Sequence, residues 1–256
     1  MKVTFLGTGT SQGVPMIACE CPVCTSLDYR DKRLRTSVLI EVNSVRFIID
    51  TGPDFRQQML RERVKRLDAV VFTHQHKDHI AGLDEVRSFN YAQKENMPVY
   101  ATERVCKQLK IEFAYAFEAF KYPGVPLIDL YQFGDEPFEI KGVKITPVTV
   151  MHHMLPVTGF RIGNFTYITD ANRIDPAERD KIRGSEIMVL NGLQREPHPS
   201  HFTLQESLDV IADINPRAAY LTHISHRLGR HAEVQPTLPP NVFLAWDGLT
   251  LECGEC

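Results

Sequence analysis

The residues best suited to chemistry stand together at His74-Gln75-His76-Lys77-Asp78-His79, an H-x-H-x-D-H run directly after the apolar stretch Ala69 to Phe72. Imidazole and carboxylate are borderline ligands that suit zinc, manganese or iron, and a strand ending in a loop can aim several of them at one point. Such a run begins two ion sites but does not complete them. Further candidates each close a strand-like run: His152 or His153 after Val148 to Met151, Asp170 after Tyr167 to Thr169, and His223 after Tyr220 to Thr222. Spacing alone does not choose between His152 and His153. Asp170 is the natural bridging carboxylate, because an anionic oxygen shared by two cations offsets their repulsion and leaves room for a bridging hydroxide. Asp50, between Ile48-Ile49 and Thr51-Gly52, reads either as a carboxylate that orients a metal-bound histidine or as a turn cap.

A second constellation is Cys19-Glu20-Cys21-Pro22-Val23-Cys24, one ligand short of a tetrahedral zinc site. His226, in Thr222-His223-Ile224-Ser225-His226, is the candidate fourth ligand, so that a single loop would feed both sites. The pair Cys253 and Cys256 and the lone Cys106 carry no such pattern. Gly7, Gly9 and Gly13 do not make a dinucleotide fingerprint. Pro15 and the cysteine cluster follow them, where a helix N-terminus would have to hold pyrophosphate. They suit a turn that brings Thr8 to Gln12 close to the reaction centre.

The positioning elements follow from periodicity. Strands are expected at Val3 to Leu6, Val38 to Val42, Val45 to Asp50 and Ala69 to Phe72, with a helix after Pro53. More strands are expected at Val143 to Val150, Val157 to Ile162, Phe165 to Thr169, Ile187 to Leu190 and Ala218 to Leu221, with a helix over Thr203 to Ile214. Val242 to Ala245 and Leu249 to Leu251 flank a turn at Asp247-Gly248. The pattern fits an α/β chain of two sheets with helices outside. Phe113, Phe117 and Phe120 share helical spacing and read as one apolar helix face, with a lid as the alternative for this aromatic stretch.

With 256 residues and 43% hydrophobic content the chain can bury a full core, and it shows no linker or repeat, so residues 1–256 read as a single domain. The 29 basic and 32 acidic residues leave a net charge of -3, which offers no general attraction for nucleic acid or anionic membranes. No apolar run approaches a bilayer span and no signal-peptide pattern opens the chain, so a soluble, cytoplasmic protein is expected.

The run His74, His76, Asp78, His79, with His152 (or His153), Asp170 and His223, resembles the metallo-β-lactamase fold superfamily. The resemblance extends over nearly the whole chain and implies an αββα sandwich of two mixed sheets. Within the superfamily, Phe5-Leu6-Gly7-Thr8-Gly9-Thr10, the cysteine cluster and Thr-His-Ile-Ser-His are similar to the cyclic ribosyl phosphate phosphodiesterases of the carbon-phosphorus lyase pathway. That likeness implies two divalent ions, zinc or manganese, in the active site, with Asp78 also orienting the nucleophile. It further implies one structural zinc on Cys19, Cys21, Cys24 and His226, and His201 as the proton donor to the leaving group. Related chains that keep the Leu-Pro-Val-x-Gly-Phe-Arg continuation place their ligand at His152. The implied function is hydrolysis of a small phosphodiester, cyclic nucleotide or ribosyl. The alternatives are a thioester or lactone hydrolase and a non-catalytic metal-binding biosynthetic accessory protein. No Lys/Arg-rich arm suggests a tRNA nuclease, and a homodimer is an expectation carried over from relatives.

Overall fold

The computed structural model describes residues 1–120 and 122–254. In the first half, β1 (Lys2–Gly7), β2 (Ser37–Val42) and β3 (Val45–Ile49) form antiparallel pairs. They are followed by β4 (Ala69–Val71), β5 (Met97–Thr102) and β6 (Ile128–Phe133), which continue the sheet in parallel from β3. The second half repeats the scheme. The strands β7 (Phe138–Ile140), β8 (Val143–His152), β9 (Leu155–Ile162) and β10 (Phe165–Tyr167) run antiparallel. Then β11 (Ile187–Asn191), β12 (Ala218–Thr222) and β13 (Val242–Leu244) continue in parallel. The last strand, β14 (Thr250–Glu252), returns to the first sheet beside β1, so each sheet has seven strands.

Three apolar layers hold these sheets in place. Phe5, Phe47, Ile49, Phe160, Phe165 and Val189 meet between the sheets. On the outer face of the first sheet, Ile48, Val70 and Phe72 pack on α1 (Phe55–Arg61), α3 (Arg87–Gln93) and α4 (Glu103–Glu112) through Phe55, Met59, Phe89 and Leu109. On the second, Val148, Leu190 and Leu221 pack on α6 (Pro176–Ile182) and α7 (Leu204–Ile214) through Ile182, Val210, Ile211 and Ile214. The architecture is therefore the expected αββα sandwich. The strand β4 is buried on both faces, which is why Ala69, Val70 and Val71 read as an unbroken apolar run. Each fully buried Phe or Leu contributes roughly 1.5–3 kcal/mol to such a core. Among the described residues no helix is long and apolar enough to cross a membrane.

Three local features add to or depart from the sequence reading. The turn at Asp247-Gly248 joins strands of different sheets, β13 in one and β14 in the other, so it carries the chain across the sandwich. The spacing of Phe113, Phe117 and Phe120 is not one helix face. The helix α4 ends at Glu112 and the short α5 (Ala114–Phe117) starts anew, so Phe113 is buried while Phe120 is 84% exposed. The strands β5 and β6 were not expected. Pro98 obscures the pattern of the first, and the second pairs on one side only, leaving polar residues such as Gln132 exposed. Cys256 lies outside the described residues.

Candidate metal centre

The chemistry-bearing side chains gather where strands of both sheets end. Asp50 follows β3, His74 follows β4, His152 closes β8, Asp170 lies just past β10, and His223 follows β12. At three of these points a residue with a side chain takes the left-handed backbone: Asp50 at φ 67°, Asp170 at φ 54° and His223 at φ 53°. Such conformations cost on the order of 1–3 kcal/mol each and persist where the fold over-determines them, typically at a functional site.

Asp170 is the hub. Its carboxylate lies 3.0 Å from His223 Nδ1, 3.4 Å from His79 Nε2 and 3.7 Å from His74 Nε2, and Asp78 Oδ2 lies 3.1 Å from His79 Nε2. The rings of His74, His76 and His152 close the other side, with centroids 4.5 Å apart for His74 and His76 and 5.1 Å for His76 and His152. Ligands placed tetrahedrally at 2.0–2.2 Å from an ion stand roughly 3.4 Å apart, which is the spacing found here. Among the described residues His74 Nε2, His79 Nε2 and His223 Nδ1 are buried yet have no hydrogen-bond partner, so a cation that displaces any proton they carry can take them as ligands. The donor set fits divalent metal.

The tautomers are set from behind. Asp50 is fully buried and accepts from His79 Nδ1 at 2.7 Å, Thr73 N at 2.9 Å and Thr73 Oγ1 at 2.8 Å. Because the Thr73 hydroxyl donates to Asp50, its oxygen faces His74 Nδ1, 3.0 Å away, as acceptor. Ser200 O accepts from His152 Nδ1 at 2.8 Å. Each ring thus keeps Nε2 for the ion. Asp50 is an orienting carboxylate, and Thr73 and Ser200 are partners that sequence reading missed. The only signal for Thr73 was a hydroxyl directly before His74.

His153 is exposed, its amide donating to Asn172 Oδ1, so His152 alone of the pair joins the group. His201 is 8% exposed; its ring stacks on His223 and lies tilted against His152, with centroids 4.7 and 4.5 Å apart, and among the described residues its Nδ1 has no hydrogen-bond partner. Burial, reinforced by His223, pushes its imidazole down to about 2. Burial also pulls His79 down, but Asp78, Asp170 and Asp50 outweigh it and hold the ring well above its ordinary value. Asp170 itself lies well below the carboxylate range, its desolvation overcome by His223 and His79.

The cysteine cluster converges as well. Cys19 Sγ and Cys21 Sγ each lie 3.3 Å from His226 Nδ1, and Cys24 Sγ lies 3.6 Å from it. A tetrahedral ion with bonds of 2.3 Å to sulfur and about 2.0 Å to nitrogen separates such ligands by roughly 3.6 Å. Burial raises Cys21, but the Cys24 amide, His226 and the adjacent thiols bring it to about 6, whereas burial pushes Cys24 up to about 11. Thiols this crowded ionise together only around a cation.

A sandwich with these ligands at the strand ends defines a metallo-β-lactamase fold. The model of the β-lactamase superfamily domain matches residues 45–224, and the chain belongs to that superfamily. It is similar over its full length to the crystal structure of a new diphosphatase from the PhnP family, with 40% identity, a TM-score of 0.93 and 98% of that chain covered. It is 38% identical over 252 residues, 97% of its length, to an octanoyltransferase of Porphyromonas gingivalis, of which it covers 51%. Zinc-bound PqqB from Methylobacterium extorquens shares the fold at 20% identity and a TM-score of 0.79, covering 99% of this chain and 100% of that one. The chain spans about half the length, or less, of the curated relatives it matches.

Proposed function

We propose that the protein is a metal-dependent phosphodiesterase acting on a small nucleotide or ribosyl phosphodiester. The observation that carries this reading is His201, seated against His152 and His223, where a departing alkoxide needs a proton. The likeness to a PhnP-family diphosphatase supports it. In this reading His74, His76 and His152 would hold one divalent ion and Asp78, His79 and His223 a second, with the Asp170 carboxylate available to either. When bound, the ions acidify a shared water and neutralise charge developing on the phosphoryl oxygens. Asp78 orients the attacking water as well as serving as a ligand. As the P–O bond breaks, the leaving oxygen takes a proton from His201. Burial and the neighbouring His223 disfavour the cationic form of that ring, and an anionic phosphoryl group against it would favour that form. Cys19, Cys21, Cys24 and His226 would hold a third ion, zinc, which would fasten the N-terminal loop.

The test is hydrolysis of bis-p-nitrophenyl phosphate and cyclic nucleotides by metal-loaded protein across several divalent metals; no turnover with any of them overturns the proposal. His201→Ala is expected to lower kcat by about 10²- to 10⁴-fold with metal content intact. Equal turnover removes His201 from the mechanism. One observation favours acyl chemistry, the likeness to a protein named octanoyltransferase. Parallel rates on ester, thioester and diester panels separate the two readings.

A further inference from the structure

The cysteine cluster is not uniformly buried. Cys24 is buried, whereas Cys19 and Cys21 are half-buried, with Ile17, Ala18, Glu20 and Pro22 exposed around them. Cys106 and Cys253 are buried, so among the described residues the cysteines that solvent reaches most are Cys19 and Cys21. Cys21 and Cys24 stand on one turn, closed by the Thr25 amide donating to Cys21 O at 3.0 Å, and the Cys24 amide donates to Cys21 Sγ at 3.4 Å. The four ligand atoms of the cluster all lie within 4.8 Å of one another. Residues three apart on a single turn are neighbours and meet the Cα separation of roughly 4.4–6.8 Å that a disulfide spans. The turn therefore singles out Cys21 and Cys24 as the pair able to bridge with little backbone movement.

The loop is also held by contacts that need no ion. At its base Val14 and Arg33 exchange both backbone hydrogen bonds, at 2.8 and 2.7 Å. Lys32 Nζ donates to Cys24 O at 3.0 Å, Arg230 Nε to Pro22 O at 3.1 Å and His231 N to Asp31 Oδ1 at 2.7 Å. Loss of an ion from the cluster thus leaves the two sulfurs close together, which is the condition for an oxidation that a reductant can undo.

We propose that Cys21 and Cys24 are a site of reversible oxidative modification, closing to a disulfide under hydrogen peroxide and giving up the ion that the cluster would hold. The Cys21 thiolate attacks the O–O bond; an S–O bond forms, hydroxide leaves and Cys21 becomes a sulfenic acid. The Cys24 thiolate then attacks Cys21 Sγ; the S–S bond forms, the S–O bond breaks and a second hydroxide leaves. Two thiolates give up two electrons in all, and the peroxide is reduced to two waters once both hydroxides take protons from solvent. Cys19 and His226 alone remain, half of the ligands that a closed zinc site needs.

Zinc-loaded protein is treated with hydrogen peroxide; released zinc is followed with a chromophoric chelator, and the thiols are mapped by alkylation and mass spectrometry. The expected result is loss of about one zinc per chain in step with a Cys21–Cys24 link, both reversed by a phosphine reductant and added zinc. Cys24→Ser is expected to stop at a Cys21 sulfenic acid trapped by dimedone, with no link. Retained zinc and reduced thiols at a peroxide dose that fully oxidises free glutathione overturn the proposal. A link confined to another pair of cysteines, or a link formed without loss of zinc, overturns it as well. Diester hydrolysis is not read, so failure of the phosphodiesterase reading leaves this test standing.

Discussion

Asp50→Asn removes one charge and one acceptor from the point where both halves of the metal centre are oriented. One carboxylate oxygen takes the Thr73 amide, and the other takes His79 Nδ1 and the Thr73 hydroxyl, which in turn fixes His74. An asparagine cannot satisfy all of these. With its NH2 toward Thr73 N, two donors face each other in a fully buried site at a cost of about 1–3 kcal/mol. With its NH2 toward His79, the ring must accept at Nδ1 and carry its proton on Nε2, where the ion is to bind, and the Thr73 hydroxyl turns against His74 likewise. Loss of such an orienting partner weakens metal binding about 10- to 100-fold, or roughly 1.4–2.7 kcal/mol. The assay is competition for zinc or manganese against a chromophoric chelator, with chemical unfolding of the metal-free protein alongside. Asp50→Asn with both wild-type affinity and wild-type stability refutes the claim that Asp50 sets the tautomers.

Other perturbations test separate parts. Cys24→Ser is expected to lower bound metal by about one ion per chain and, with free ion at a hundred times its Kd, to remove about 3 kcal/mol of stability; unchanged stoichiometry by element analysis refutes the Cys3His site. Gly52→Ala would place a Cβ 2.3 Å from Asp78 O, and a loss of about 1–3 kcal/mol is expected in urea denaturation; an unchanged midpoint shows that this close approach is not required. His79, held above its ordinary value by three carboxylates, stabilises the metal-free fold below pH about 6.5 and gives up that contribution as pH rises through its folded value. Metal must displace the same proton, so affinity is expected to fall by about tenfold for each unit of acidification in that range, and a pH-independent titration excludes His79 as a ligand.

Much of this was legible in the sequence because the fold places its ligands at strand ends, and strand ends are readable where an apolar run stops. Ile48-Ile49 before Asp50, Val70-Val71-Phe72 before His74, and Leu221-Thr222 before His223 all announce themselves that way. The helix before β12 was legible too, since Thr203 and Glu206 form a complete capping box. Contacts between distant segments were not. Nothing in the spacing shows that Ser200 O would meet His152, that Thr73 would relay Asp50 to His74, or that the Asp247 turn would leave one sheet for the other. The aromatic stretch misled because helical spacing says nothing of a break. After Phe113 the chain turns, and Tyr115 instead reaches Asp84, next to the metal-ligand helix α2 (Lys77–Ile80), whose Lys77 pairs with Glu112.

The two metal groups are joined by more than sequence proximity. His223 and His226 stand three residues apart, and the first of the two residues between them, Ile224, is clamped by the N-terminal loop, its N–H donating to Thr8 O at 2.9 Å and its carbonyl accepting from Thr10 N at 3.1 Å. Thr8 is held in turn by Asp247 at 2.7 Å and by the buried Arg33 at 2.9 Å. The loop that carries the cysteines therefore also fixes the backbone from which His223 departs at positive φ. A strained backbone at a ligand persists only while its surroundings hold it. An ion that fastened Cys19, Cys21 and Cys24 to His226 would supply that restraint at a distance from the proposed reaction, so the cysteine site would act on the geometry of His223 without touching substrate.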